Sequence, residues 1–409
     1  MEADWVLCAN GLRRACLKAE ASKGDVCPAL KGQGEEPDLS ECKIALMSGG
    51  TAVNPVPATG KESGCGDFRI QKTRRGEMDM SRAENLNEQQ MKEKSLDMLS
   101  GKMDEQNVKQ FLMELHSKGE TADELVGLVK AMREKAVKLP AIEGELVDVC
   151  GTGGDRSFSF NISTLTAFVL AGCGLTVAKH GNRSVSSKTG SSDVLEELGI
   201  STASDVDSIP YILDQTGIAF LFAPAIHPAL GSMRQIRKDI GTPTIFNLVG
   251  PLANPLPISV QMTGVYRRDM LEPMADALIR LGRKRGALIF GAGGLDELSL
   301  AGTNELIVFN ENGKKHITLH PEEVGLETAP IEAIRGGDPK RNAEIFREVL
   351  EGKEGPYLDT VALNAGTGLY VSGRTQTIAE GVASAKQSIL SGETARVFEL
   401  HRLAAGVLV

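Results

Sequence analysis

Five segments of this chain carry residue types suited to holding a polyanion, a hard cation and a small carboxylate. Gly151-Thr152-Gly153-Gly154-Asp155 puts three glycines in four positions, so backbone N–H groups can approach a ligand without side-chain obstruction. Lys179-His180-Gly181-Asn182-Arg183 supplies two fixed cations, an imidazole and an amide, and Ser186, Ser187, Gly190, Ser191 and Ser192 follow it. A hydroxyl-rich run behind paired cations wraps phosphate oxygens without a deep basic surface. Asn161-Ile162-Ser163-Thr164 opens an apolar helical stretch, placing amide and hydroxyl groups at its dipole-positive end. Asp296-Glu297 follows Gly291-Ala292-Gly293-Gly294-Leu295, and adjacent carboxylates beside a phosphate site suit Mg²⁺, which binds through one or two carboxylates plus substrate oxygens. The last constellation runs from His227-Pro228-Ala229 through Arg234, Arg237, Lys238 and Thr244-Ile245-Phe246-Asn247 to Gly250-Pro251-Leu252-Ala253-Asn254-Pro255. Arg234 and Arg237 share a helix face and read either as a structural ion pair or as a guanidinium fork aimed at a carboxylate. Each segment also has a plainer reading as a tight turn, a helix cap or a solvated loop. His180 suits a pocket wall or hydrogen-bond donor better than an acid or base.

The elements that must position these loops alternate in type. Leu146–Cys150 is a strand feeding the first glycine loop, Asn161–Ala171 a helix, Leu175–Ala178 a strand feeding the Lys179 loop, and Asp193–Leu198 a helix. Ile218–Phe222 and Ala287–Phe290 are further strands. Such alternation gives a largely parallel sheet covered by helices, with ligands at the C-terminal strand ends. Residues 81–138 read instead as a small helical module. Val108, Phe111, Leu112 and Leu115 recur at helical spacing, Gly119 closes that helix, Thr121 with Glu124 forms a capping box, and Pro140 ends the module.

Composition narrows the function classes. The chain has 409 residues and a net charge of −9, while its first 77 residues hold 11 basic and 11 acidic side chains. An acidic main body fits poorly with a nucleic-acid partner. No apolar run is long enough for a membrane helix, and the acidic start argues against a secretory signal, so a cytoplasmic protein is expected. Cys8, Cys16, Cys27, Cys42 and Cys65 match no common zinc spacing, and Cys150 and Cys173 read as buried thiols. Residues 1–77 remain unassigned. Two readings stay open for them: a disordered or weakly structured extension, or upstream sequence translated from a misplaced start, as Arg74-Arg75-Gly76-Glu77 before Met78 hints.

Taken in order, Gly-Thr-Gly-Gly-Asp, Asn-Ile-Ser-Thr, Lys-His-Gly-Asn-Arg, the run through Ser191-Ser192-Asp193, His-Pro-Ala, Phe-Asn-Leu-Val-Gly-Pro-Leu-Ala-Asn-Pro and Gly-Leu-Asp-Glu resemble the anthranilate phosphoribosyltransferases over about residues 80–409. The resemblance implies transfer of the 5-phosphoribosyl group from phosphoribosyl pyrophosphate (PRPP) to the amine of anthranilate, in tryptophan biosynthesis. It implies an α/β fold: a large domain at 141–409 with a mostly parallel central sheet flanked by helices, plus a small all-helical domain from 78–140 and a helical portion near 228–258. A homodimer is implied as well.

Carried over by motif, Gly151, Gly154, Asp155, Ser159, Asn161, Ile162, Ser163, Thr164, Lys179, His180, Gly181, Asn182, Arg183, Ser186, Ser187 and Ser191 hold PRPP. Gly151, His180, Asn182, Arg237 and Pro251 bound the anthranilate site. Ser163, Asp296 and Glu297 hold two Mg²⁺ ions, and Lys179, Asp155 and Arg237 carry catalysis. The chain departs from the pattern at Phe290-Gly291-Ala292-Gly293-Gly294, which lacks the His-Gly and acidic residue often found there, and at Ser159, where Thr is common. A pyrimidine nucleoside phosphorylase shares the fold and a related glycine loop, but Lys179–Arg183 and Asp296-Glu297 favour the PRPP enzyme. A relative that had lost catalysis to bind nucleic acid would show a basic groove and eroded motifs, and neither is present.

Overall fold

The computed structural model describes residues 84–182, 189–202 and 206–407, together with two short strands, β1 (Trp5–Leu7) and β2 (Arg13–Ala15), which pair antiparallel. Both readings of residues 1–77 otherwise lie outside the described residues, as do Arg183, Ser186 and Ser187.

Three helices begin the main body: α1 (Glu88–Leu99), α2 (Glu105–Lys118) and α3 (Ala122–Glu134). Each starts where a side chain takes up an orphan N–H: Asn87 with Gln90, Asp104, and Thr121 with Glu124. Gly119 ends α2 at φ 87°, a conformation open to glycine. Val108, Phe111, Leu112 and Leu115 line the buried face of α2, as their spacing requires. Their cluster continues through Leu125, Leu128 and Met132 of α3 to Met233, Ile236, Phe246 and Leu252 from a later part of the chain.

β3 (Leu146–Gly151), α4 (Ile162–Gly172), β4 (Thr176–Gly181), α5 (Ser191–Glu197), α6 (Ile209–Thr216) and β5 (Ile218–Phe222) come next. The short α7 (Ala223–Ile226) and α9 (Phe246–Val249) flank α8 (Gly231–Ile240). Then follow β6 (Ile258–Gly264), α10 (Leu271–Arg280), β7 (Arg285–Phe290), β8 (Asn304–Asn310), β9 (Gly313–Leu319), α11 (Pro339–Leu350), α12 (Pro356–Val371), α13 (Ile378–Leu390) and α14 (Glu393–Val407). The sheet order is β5-β4-β3-β6-β7-β8-β9. β5 to β7 run parallel, and β8 and β9 close one edge as an antiparallel hairpin. The large unit is therefore an α/β fold with a mostly parallel sheet, beside a small helical unit.

Alternation along the strands divides the core. Val147, Val149, Val260, Met262, Ala287 and Ile289 join α4 and the C-terminal helices, while Leu288, Ile307 and Phe309 join α10 and the helical unit.

Three features differ from the sequence expectation. β4 runs on through Lys179, His180 and Gly181, so those residues are strand and not loop. The central strand β6 escaped notice because Gln261 and Thr263, both fully buried, break its apolar run. Cys173 is only partly buried, whereas Cys150 is buried, and both are free thiols.

Candidate active site

The cleft lies at the C-terminal edge of β3 and β4, where the parallel strands deliver their loops. β3 and β6 end on Gly151 and Gly264, and Gly291 follows β7. The 291–297 turn folds back over these positions, closed by Gly291 N–H donating to the Leu295 carbonyl at 2.8 Å. A Cβ on Gly264 would fall 1.5 Å from the Asp296 carbonyl oxygen. One on Gly151 would fall 2.1 Å from Asp296 Oδ2, and one on Gly291 2.0 Å from the Glu297 carbonyl oxygen. No side chain fits at any of them. Gly293 in the same turn has a φ of 80°, and a Cβ there would lie 2.2 Å from Ile331 Cδ1.

This seating buries Asp296 and leaves Glu297 half-buried. Asp296 is 8% exposed, accepts the Gly153 N–H at 2.6 Å and lies close enough to Asp155 to feel its charge. Burial first, then the Asp155 and Glu297 charges, pushes its carboxyl well above the usual carboxylate range. Burial pushes Glu297 up to about 7, against the pull of the Lys179 charge and of the hydroxyl and N–H of Ser163. Asp155 accepts the Ser157 N–H on Oδ1 at 3.2 Å, while its buried Oδ2 has no partner. Carboxylates so placed, with an unpartnered oxygen, suit a hard divalent cation. No group of three or more His, Cys, Asp and Glu surrounds a common point among the described residues, so such a cation would fill its shell from water and substrate oxygens.

Above the acidic turn, Gly153 and Gly154 adopt φ of 69° and 89° and turn the loop's backbone toward the cleft. Thr152 anchors that loop, its N–H donating to the Gly264 carbonyl at 2.9 Å and its Oγ1 accepting the Tyr266 N–H at 3.1 Å. Arg156 and Phe158 are held at φ of 59° and 55°, left-handed values that cost a non-glycine residue about 1 kcal/mol or more. The 334–336 segment holds that strain, with Gly336 N–H donating to the Phe158 carbonyl at 2.8 Å and Phe160 N–H to the Ile334 carbonyl at 3.2 Å. Asn161 precedes α4 without capping it. Its amide donates to the Thr189 carbonyl at 3.4 Å and accepts from Asn342 Nδ2 at 2.9 Å, tying the helix start to two other elements.

Lys179 is 2% exposed, and its Nζ donates to the Val149 carbonyl at 2.6 Å and to Ser163 Oγ at 3.2 Å. Its charge therefore sits under the start of α4. Next to it, His180 Nδ1 faces the Gly250 carbonyl at 3.2 Å, which fixes the proton on that nitrogen. Burial drops the ring to about 3, so it stays neutral. Its one N–H is spent on protein, and Nε2 is left buried as an acceptor, so the donor role expected of His180 is not available. Gly181 lets Ser191 approach, whose Oγ donates to the Asn182 carbonyl at 3.0 Å.

On the opposite wall, α8 separates the two arginines. Arg234 is exposed and does not line the cleft, whereas Arg237 does line it. The Arg237 guanidinium stands 5.6 Å from the Phe246 ring centroid, has no carboxylate partner among the described residues, and is pulled below its usual pKa by burial. A half-buried cation without a counter-ion is a site for an anionic ligand.

The cleft has a volume of about 310 Å³ and brings together the expected Gly151, Gly154, Asp155, Ser159, Asn161, Ile162, Ser163, Thr164, Lys179, His180, Gly181, Asn182, Ser191, Arg237, Pro251, Asp296 and Glu297. It also includes Thr152, Thr189, Ala223 and Asn247, to which sequence reasoning gave no role. Ala223 follows directly on β5, so the strand-end rule would have found it. Asn247 Oδ1 accepts the Thr244 N–H at 3.0 Å, a turn inside the quoted Thr244–Asn247 stretch.

Comparison with known proteins agrees with this arrangement. Residues 143–395 match the family described as "Glycosyl transferase family, a/b domain", and residues 70–136 match "Glycosyl transferase family, helical bundle domain". An anthranilate phosphoribosyltransferase of Exiguobacterium sibiricum is 51% identical over 313 residues, covering 76% of this chain and 92% of that protein. The crystal structure of the enzyme from Thermus thermophilus superposes with a TM-score of 0.75 at 40% identity, covering 79% of this chain and 96% of that one. The Saccharomyces cerevisiae enzyme in complex with PRPP and Mg gives 0.74 at 29% identity, over 79% of this chain and 94% of that one. This chain belongs to the anthranilate phosphoribosyltransferase family.

Proposed function

We infer that this chain transfers the 5-phosphoribosyl group of PRPP to the amine of anthranilate, releasing pyrophosphate, as a step of tryptophan biosynthesis. The observation that carries the reading is the division of one cleft. Its lining brings together glycine backbone, Lys179 and the Asp296-Glu297 turn, which we assign to one end, and Arg237, Pro251 and Asn247, which we assign to the other. A polyanion with its cation fits the first end, and a small aromatic carboxylate the second.

In this reading the loop from Gly151 to Asp155, with Ser159, Asn161 and the start of α4 through Ile162, Ser163 and Thr164, cradles PRPP. Lys179, the 180–183 segment, Ser186, Ser187 and Ser191 complete that cradle. Ser163, Asp296 and Glu297 hold Mg²⁺, in two ions. Mg²⁺, when bound, neutralises charge on the departing pyrophosphate. Lys179 adds a fixed positive charge under the same oxygens, and Asp155 holds the loop in place from beside Asp296. Arg237 fixes the anthranilate carboxylate, with Asn182, Gly151, His180 and Pro251 around the ring, and so aims the amine at the anomeric carbon. The bond from that carbon to pyrophosphate oxygen breaks, the carbon–nitrogen bond forms, and the nitrogen then sheds its proton to water or pyrophosphate. The arylamine is already neutral at pH 7, so no strong base is needed. Catalysis comes from positioning and from stabilising the leaving group. The neutral His180 is consistent with that.

A homodimer through the helical unit belongs to the same proposal, supported by Met113, which stands 47% exposed on α2. A cytoplasmic location is proposed too; no helix among the described residues is long and apolar enough to cross a membrane.

The test is consumption of fluorescent anthranilate by the purified chain. Turnover is expected only with PRPP and Mg²⁺ together, with loss of activity in EDTA; turnover of anthranilate without PRPP, or none with both, overturns the reading. Lys179→Met keeps the length of the side chain and removes the charge, and is expected to lower kcat about a hundredfold, as loss of one oxyanion donor does. Full activity would remove Lys179 from the leaving-group site. Arg237→Ala is expected to raise KM for anthranilate far more than KM for PRPP. Equal increases in steady-state kinetics would place Arg237 outside the acceptor end.

A further inference from the structure

The Gly250-Pro251-Leu252-Ala253-Asn254 segment forms the wall beside the acceptor end, and its backbone is satisfied in an unusual way. Pro251–Ala253 is a single turn of 3-10 helix that runs into Pro255 and Pro257, so the chain that follows offers few N–H groups to its carbonyls. Pro251, Leu252 and Ala253 are all buried, where an unpaired carbonyl is costly. The Gly250 carbonyl takes the Ala253 N–H at 3.3 Å, and side chains from four different places supply the further donors. His180 Nδ1 on β4 donates to the Gly250 carbonyl at 3.2 Å, and Gln261 Nε2 on β6 to the Pro251 carbonyl at 2.7 Å. Arg133 Nη2 on α3 donates to the Leu252 carbonyl at 2.9 Å, and His227 Nε2 to the Ala253 carbonyl at 3.2 Å. Asn254 ends the series, its amide donating to Asp148 Oδ2 and to the Ala178 carbonyl, each at 2.9 Å.

Three of these donors, Gln261, Arg133 and His227, lie outside the substrate residues, and the first two are expensive to keep there. Gln261 is fully buried in a central strand covered on both faces, where a near-continuous apolar run would be expected, and its Oε1 accepts from Arg283 Nε at 2.8 Å. Arg133 is drawn down to about 9 by burial and by the nearby Arg283 charge. A wall that needed only to be packed would be built from leucine and valine. Here every carbonyl from Gly250 to Ala253 has its own side-chain donor, and the first two belong to residues that line the cleft.

We propose that Gln261 and Arg133 are positioning residues for the acceptor, holding the Pro251 and Leu252 carbonyls and so setting where the Pro251 ring stands against anthranilate. The proposal rests on the acceptor end assigned above. It places one control of acceptor affinity on β6 and another at the end of α3, in the helical unit.

Gln261→Glu is the discriminating variant. It keeps an oxygen for Arg283, and strengthens that contact, but removes the N–H donated to Pro251 and sets two oxygens against each other. KM for anthranilate is expected to rise about tenfold, with KM for PRPP within about twofold of wild type. Arg133→Met should act in the same direction, and Arg133→Lys, which restores a donor, should recover most of the loss. The arginine pair carries the test if Gln261→Glu folds poorly by its thermal unfolding curve. An unchanged KM for anthranilate in the folded variants, or parallel rises in both KM values, overturns the positioning role. Wild-type turnover distinguishes the two levels: without it the acceptor assignment falls and this role with it, whereas with it an unchanged KM in the variants removes this role alone.

Discussion

Asp296 and Glu297 reach the edge of the sheet only because the backbone beneath them has no Cβ. Gly151, Gly264 and Gly291 each leave a space that a methyl group would overfill, with contacts of 1.5–2.1 Å to the acidic turn. The remaining phosphate-side geometry follows from that approach. The turn can then present a carboxylate to the Gly153 N–H, meet Asp155, and accept from Ser163 at the start of α4. The cost is electrostatic: holding Glu297 near 7 instead of its ordinary 4.5 disfavours its charged form by roughly 3 kcal/mol. A site strained in this sense gains most when a cation arrives.

The acceptor side is built on the opposite logic. There the charge is positive, on Arg237, and the wall is uncharged backbone whose carbonyls are held by buried side chains. His180 links the two sides. Its N–H donates to Asp148 and its ring to Gly250, so the strand carrying Lys179 also fixes the wall that carries Pro251. Asp148 is itself pushed up by burial, and the Lys179 charge and the Asn254 amide pull it back. Donor and acceptor ends are thus joined through one buried network.

What could be read from the sequence was set by whether the signal was local. Caps at Thr121 and Glu124, the apolar spacing of α2, and the glycine loops at strand ends all follow from neighbours in the chain, and the structure has each of them. β6 was hidden because Gln261 and Thr263 serve partners far away in sequence, and polar residues in a strand erase its apolar signature. The role of Gly264 was hidden for the same reason: its need is a contact with Asp296 across the fold. The arginine pair on α8 shows the limit of spacing. Three residues put Arg234 and Arg237 near one face, but only the packing of α8 decides that one reaches the cleft.

The central claim is that the acidic turn is a half-buried, partly protonated cation site completed by the metal–substrate complex. The direct measurement is calorimetry of Mg²⁺·PRPP binding at pH 7 in two buffers of different ionisation enthalpy, for wild type and Glu297→Gln. With Glu297 near 7, cation binding to the wild type should release about half a proton more than binding to the variant. Equal proton release from the two proteins, with both binding Mg²⁺·PRPP, would contradict the account.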